Sequence, residues 1–256
     1  MSNVKHSCVT VEHYTPPLYR NLAVKTMGGI TLDPASCALA QSLTPFAEKY
    51  FSVKDDGLNM SWFGDVLVNP PGGMRERQSN MRLWFHKAFN EWREGHVRQV
   101  IFIGFQLSVL RLNPEIFEYM LPFVVPQQRI RFWTTPECLL LPYLVKPLGR
   151  NRAEYMLSTL SSDWLSWDHF GLMKWSGLNE EAKLDGLLAY LAKCKKADQW
   201  VKSEHGVLLP SRSPSHDNAI IYLPDRDDSG STARFYEVHS EIASVPLLKQ
   251  KWPAVA

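Results

Sequence analysis

The chain has 256 residues, 45% of them hydrophobic and 21% charged, enough apolar material to bury a sizeable core in one large domain or a domain with an insertion. Its 28 Lys and Arg against 26 Asp and Glu leave a formal net charge of +2. That balance is too small to advertise a nucleic-acid partner by itself, so any nucleic-acid surface has to be local.

In chain order, Tyr14-Thr15-Pro16-Pro17 reads as a helix entry. Thr31-Leu32-Asp33-Pro34-Ala35-Ser36 reads as a short strand ending in an acid and a proline turn, with Ser36 capping a following helix. Asp33 then stands at the carboxyl end of the first strand, able to pair with an ammonium group. Asp55-Asp56-Gly57-Leu58 is a turn just ahead of Ser61-Trp62-Phe63-Gly64. Asp65 to Asn69 has strand character, and Leu83 to Glu94 spaces Trp84, Ala88 and Trp92 as an amphipathic helix does. Val100 to Phe105 is a nearly all-apolar strand covered on both faces, and Gln128 to Trp133 alternates like a strand nearer an edge.

From about Leu139 to Gly206 the strand pattern lapses. Asn179 to Lys196 reads as a helix with acids in its first turn and lysines in its last. Ala219 to Leu223 returns to strand, and Asp225 to Ser231 is a polar loop. Strand, helix and strand in succession predict an α/β fold with a doubly wound, mostly parallel sheet. Residues 1–138 and 206–256 are expected to form the core, and 139–205 a largely helical insertion.

Cys8, Cys37, Cys138 and Cys194 lie far apart with no CxxC spacing, as free thiols in a reducing compartment do. Lys5 and His6 are not followed by an apolar segment, and the apolar run from Cys138 is broken by Pro142 well short of a membrane span. The expectation is a cytoplasmic protein without a membrane partner.

The chemistry concentrates at Asn69-Pro70-Pro71. Two prolines can neither continue a sheet nor enter a helix freely, so the chain stops in a rigid extended turn. The Asn69 amide oxygen and the Pro70 carbonyl become fixed acceptors at the carboxyl end of a buried strand, the edge where open α/β sheets hold ligands. Two acceptors match the two hydrogens of a planar amino group. Taken singly, each motif also reads as an ordinary turn or cap.

Their order makes the resemblance specific. Tyr-Thr-Pro, Leu-Asp-Pro-Ala-Ser, Asp-Gly-Leu, Trp-x-Gly and Asn-Pro-Pro, over roughly residues 12 to 133, resemble the phage-type family of DNA N6-adenine methyltransferases. The resemblance implies a Rossmann-like sheet, S-adenosyl-L-methionine as cofactor, DNA as partner, and action on intracellular DNA of a bacterium or phage. It implies that Asp33, Pro34, Ala35 and Ser36 form the first cofactor motif, with Asp33 facing the methionine amino group. Thr15 and Pro16 would lie against the cofactor, and Asp56 and Leu58 beside its adenine ring. Asn69, Pro70 and Pro71 fall on the catalytic motif, with Asn69 also near the cofactor.

One departure stands out. The family's motif ends in an aromatic residue that stacks on the extruded base, and this chain has Gly72-Gly73. Met74, Trp84, Phe85 and Phe105 are candidate replacements, and the glycines suggest a segment that moves until substrate enters. Arg129, Arg131, Lys146, Arg150 and Arg152 form a basic run leading towards Trp164, Trp167 and Trp175, a candidate DNA-recognition region. The eight histidines show no metal spacing, and there is no GxSxG elbow or Walker loop. Cytosine N4, a protein glutamine amide, and a DNA-binding relic without catalysis stay open as alternatives, as do the recognition sequence, any partner endonuclease and the oligomeric state.

Overall fold

The computed structural model describes residues 13–159, 181–211 and 216–245. The chain divides into two units. One comprises residues 17–37, 44–130 and the segment from 215 onward; the other comprises residues up to 16, 38–43 and 131–214.

The first unit is an α/β domain. It contains α1 (Pro17–Met27), β1 (Leu32–Asp33), β2 (Lys49–Tyr50), β3 (Gly64–Val68), β4 (Met74–Arg75), β5 (Gln78–Ser79) and α2 (Asn80–Arg93). There follow β6 (Val97–Gly104), α3 (Ser108–Leu112), α4 (Glu115–Glu118) and β7 (Phe123–Val124). The second unit contains β8 (Trp133–Thr134), α5 (Pro136–Leu148), α6 (Arg150–Thr159), α7 (Glu181–Lys196), β9 (Val201–Ser203) and β10 (Gly206–Pro210). The chain returns to the first unit for β11 (Ala219–Leu223) and α8 (Ser231–His239).

Six strands form the central sheet of the first unit, in the order β2-β1-β3-β6-β11-β7. The first four are mutually parallel, with Leu32 opposite Val66 and Val68 opposite Phe102. β11 runs antiparallel to both β6 and β7. The sheet is therefore mostly parallel, with β11 reversed.

Side chains alternate across this sheet as a pleat requires. Val66, Val68, Val100 and Phe102 point into a cluster with Trp84, Phe85, Ala88, Phe89 and Trp92 of α2. Tyr222 points to the opposite face, where its ring lies 5.1 Å from Phe235 of α8. Helices cover both faces, and this explains why β3, β6 and β11 read as continuous apolar runs.

The second unit has its own antiparallel sheet, β8-β10-β9. Leu140, Leu141 and Leu144 of α5 form a separate apolar core with Ala153, Leu187, Leu191, Cys194 and Leu209. The unit is wider than 139–205 and is not wholly helical.

Two further expectations need correction. Gln128 to Trp133 is no strand: only Trp133 and Thr134 join a ladder, and the backbone N–H of Ile130 donates to the Asn218 side chain instead. The alternation arises because Ile130 and Phe132 are buried where the chain passes from one unit to the other. Ser36 caps no α-helix; its N–H donates to the Phe51 carbonyl at 2.9 Å, and a 3-10 turn, Ala40–Ser42, follows. No helix among the described residues is long and apolar enough to cross a membrane.

Candidate active site

The strand order of the first unit creates a switch point. From β1 the chain goes out to β2 on one side, then crosses to β3 on the other and continues to β6. Successive connections run to opposite sides of β1, and the carboxyl edge at such a switch point is where open α/β sheets hold ligands. Asp33 ends β1, and Asn69 follows β3 directly.

Asp33 is buried, and Arg20 Nη1 of α1 lies 3.3 Å from its Oδ2. The Arg20 side chain is itself only 1% exposed. Two buried charges of opposite sign hold each other where neither could remain alone. A carboxylate accepts about four hydrogen bonds, so the Arg20 contact and an ammonium are compatible on one Asp33. The Phe51 N–H donates to the Asp33 carbonyl at 3.0 Å, which with the Ser36 bond fixes the turn against the chain leaving β2.

The Asp55–Leu58 turn packs onto the same place. A Cβ built on Gly57 would lie 2.0 Å from the Pro34 carbonyl oxygen and 3.0 Å from the Trp84 ring. Only glycine permits that approach. The Trp62 indole N–H donates to the Gly57 carbonyl at 2.8 Å, locking the turn from its other side. Ala35 and Leu58 are both half-buried against the same apolar cluster. Motifs more than twenty residues apart in sequence thus meet as one surface.

Asp56 does not reach outward with a free carboxylate. Arg75 of β4 grips it with two contacts, Nη1 to Oδ1 at 2.9 Å and Nη2 to Oδ2 at 2.8 Å, and the Asn59 amide donates to Oδ2 at 2.8 Å. The Arg75 hydrogen bond, the largest effect, holds the Asp56 carboxyl below the usual carboxylate range; desolvation opposes it, and the Arg75 charge lowers it further. Arg75 in turn is held above the usual arginine value by Asp56.

Pro70 is buried, while Asn69 and Pro71 are half-buried. The Gly72-Gly73 segment is tethered rather than loose: the Asn80 side-chain amide donates to the Gly72 carbonyl at 2.9 Å, and its backbone N–H to the Gly73 carbonyl at 3.1 Å. Of the candidate replacements for the missing aromatic, Trp84 and Phe85 belong to the core and are unavailable. Phe105 is half-buried just beyond β6, and Met74 is exposed.

The other expected residues are divided between the two units. Thr15 and Pro16 are buried and belong to the second unit, where the neighbouring Tyr14 pairs with Trp133 through two 2.8 Å backbone bonds. The basic run divides. Arg129 stays in the first unit and pairs with Asp217 at 2.9 Å. Arg131, in the second, donates to the Tyr190 hydroxyl at 3.3 Å. Lys146 lies in α5, and Arg150 and Arg152 are exposed at the start of α6. Trp164, Trp167 and Trp175 fall outside the described residues.

Three contributors carried no sequence signal. Arg20 and Arg75 lie thirteen and nineteen residues from their partners, and Asn80 lies ahead of the helix expected from Leu83 to Glu94. No protein-family model, curated protein or solved structure matches this chain.

Proposed function

We propose that this chain is an S-adenosyl-L-methionine-dependent methyltransferase acting on the exocyclic N6 amine of adenine in DNA. The observation that carries the reading is the meeting of Asp33-Pro34 and Gly57-Leu58 beside the strand end that bears Asn69, at the switch point of a mostly parallel sheet. The donor set suits the cofactor: a buried carboxylate for its ammonium, and the half-buried apolar surface of Ala35 and Leu58 for its adenine. When bound, the cofactor supplies a methyl group on a sulfonium.

The chain's own residues do the positioning. Asn69 and the Pro70 carbonyl accept both hydrogens of the amino group, which favours a pyramidal nitrogen with its lone pair aimed outward. As positive charge develops on that nitrogen, the same two bonds strengthen, so they act on the transition state more than on the bound ground state. A duplex base is out of reach and must be extruded, at a cost of a few kcal/mol.

The experiment is mass spectrometry of nucleosides from DNA incubated with protein and cofactor, alongside calorimetry of the cofactor alone. N6-methyladenine and measurable cofactor affinity are expected. N4-methylcytosine would move the reading to the other exocyclic amine, and methylated glutamine in a protein would remove DNA from it. Neither binding nor methyl transfer would end it.

A further inference from the structure

Directly after Asn69-Pro70-Pro71 the chain forms a hairpin in which Met74 pairs with Ser79 and Arg75 with Gln78. Residues 73–78 are all exposed. The turn residues Glu76 (φ 51°) and Arg77 (φ 67°) both have left-handed backbones. A two-residue hairpin turn of this hand is ordinarily built from Asn-Gly or Asp-Gly, which adopt it with little strain. Here the positions carry two long charged side chains, so the tip keeps its charges in spite of the backbone cost.

Strands of two residues do not hold together alone in water. This hairpin is braced at its root by the Asn80 bonds to Gly72 and Gly73 and at its side by the Arg75–Asp56 pair. It is a supported projection next to the catalytic turn. Arg75 is neutralised by Asp56, whereas no carboxylate among the described residues lies in ion-pair contact with Arg77. Met74, at the root, is 66% exposed.

Resting on the reading of the chain as a DNA methyltransferase, we propose that the 74–79 hairpin is the element that engages DNA at the extruded base. Arg77 contacts the phosphate backbone, and Met74 enters the stack beside the vacated position. Methionine belongs to the apolar side chains that proteins insert between base steps, and an arginine is suited to phosphate. Arg129, already paired with Asp217, is a poorer candidate for that role.

The test uses the full chain and duplex DNA. Arg77→Asn removes the charge but keeps a residue that tolerates a left-handed backbone, and Met74→Ala removes the wedge. Arg77→Asn is expected to lower DNA affinity and reduce the slope of log affinity against log salt by about 0.9, with cofactor affinity and melting temperature unchanged. Met74→Ala is expected to raise KM for DNA several-fold with cofactor affinity intact. A wild-type protein that methylates DNA, with neither variant changing the salt slope or KM, overturns the assignment of the hairpin. A wild type that binds cofactor but methylates only protein overturns the reading beneath it, and the hairpin's role falls with it.

Discussion

Arg75 and Asp56, nineteen residues apart, are joined by two parallel contacts at 2.8 and 2.9 Å that tie the hairpin after the Asn69-Pro70-Pro71 turn to the loop beside Pro34. A planar guanidinium matches a carboxylate in this way and an ammonium does not. Both groups are largely solvent-accessible, so the pair contributes little to global stability. Its effect is on position. Arg75→Lys is expected to leave the melting temperature almost unchanged while weakening cofactor binding and raising KM for DNA. Calorimetry and steady-state kinetics read both; unaltered values in Arg75→Ala would deny the pair any positioning role.

Gly57 gives a sharper structural test. In Gly57→Ala the new methyl would meet the Pro34 carbonyl, a backbone atom that cannot swing away. The loop must shift, at a cost of about 1–3 kcal/mol typical of overpacking. Thermal unfolding should show a lower midpoint, and cofactor affinity should fall with it. Gly72→Ala, where an added Cβ meets nothing within 4 Å, is the matched control and should do neither.

Asp33 has two tasks that a single truncation would confuse. Asp33→Ala leaves the Arg20 charge buried without its carboxylate, and breaking such a pair costs about 3–5 kcal/mol of stability. Asp33→Asn keeps the shape and a neutral acceptor. In a folded Asp33→Asn variant, cofactor binding should weaken by about 1.5–3 kcal/mol if a charged hydrogen bond to the ammonium is lost. Unchanged affinity would return Asp33 to a purely structural role with Arg20.

The stability of the first unit should also depend on pH through His239. The imidazole is buried against Phe235, its Nδ1 is 2.8 Å from the Phe235 carbonyl, and burial pushes its pKa down from 6.5 to about 4. The unfolded chain therefore binds this proton first as pH falls, so the neutral form's stability is full above about 6.5 and is lost progressively towards 4. A depression of this size corresponds to roughly 3 kcal/mol. Chemical denaturation at pH 7 and pH 4.5 measures the loss, and His239→Phe should flatten it.

Much of this site was legible because its parts are local. A buried strand leaves an apolar run, and a proline pair or an Asp-Pro step marks where it must stop, so β3, β6 and β11 and the turns at Asp33 and Asn69 could be read directly. Strands of two residues leave no period to detect, which is why β2, β7 and the 74–79 hairpin were invisible. The reversed direction of β11 is a property of connection, not of its residues. Gln128 to Trp133 misled because burial of alternate side chains resembles a strand even where the backbone bonds elsewhere. Arg20 with Asp33 and Arg75 with Asp56 are pairings that only the fold creates.

The Asn69-Pro70-Pro71 turn itself permits a decisive comparison. If Asn69 and the Pro70 carbonyl aim the amine, Asn69→Ala should lower kcat by about 10²–10³-fold, as loss of one preorganised transition-state hydrogen bond commonly does. Cofactor affinity should barely change. Full turnover in this variant would end the amine-methylation reading. Gly72→Tyr asks how the base is gripped in the absence of the family's aromatic. Open space around the Gly72 Cβ leaves room for the side chain to start, and the Asn80 bond to its carbonyl is unaffected by the substitution. The variant should therefore fold normally. Stacking a base on an aromatic ring contributes about 1–3 kcal/mol, so a lower KM for DNA would indicate that the family's stacking position is still usable. A collapse of turnover with intact cofactor binding would instead mean that Phe105 or Met74 already occupies that place against the base.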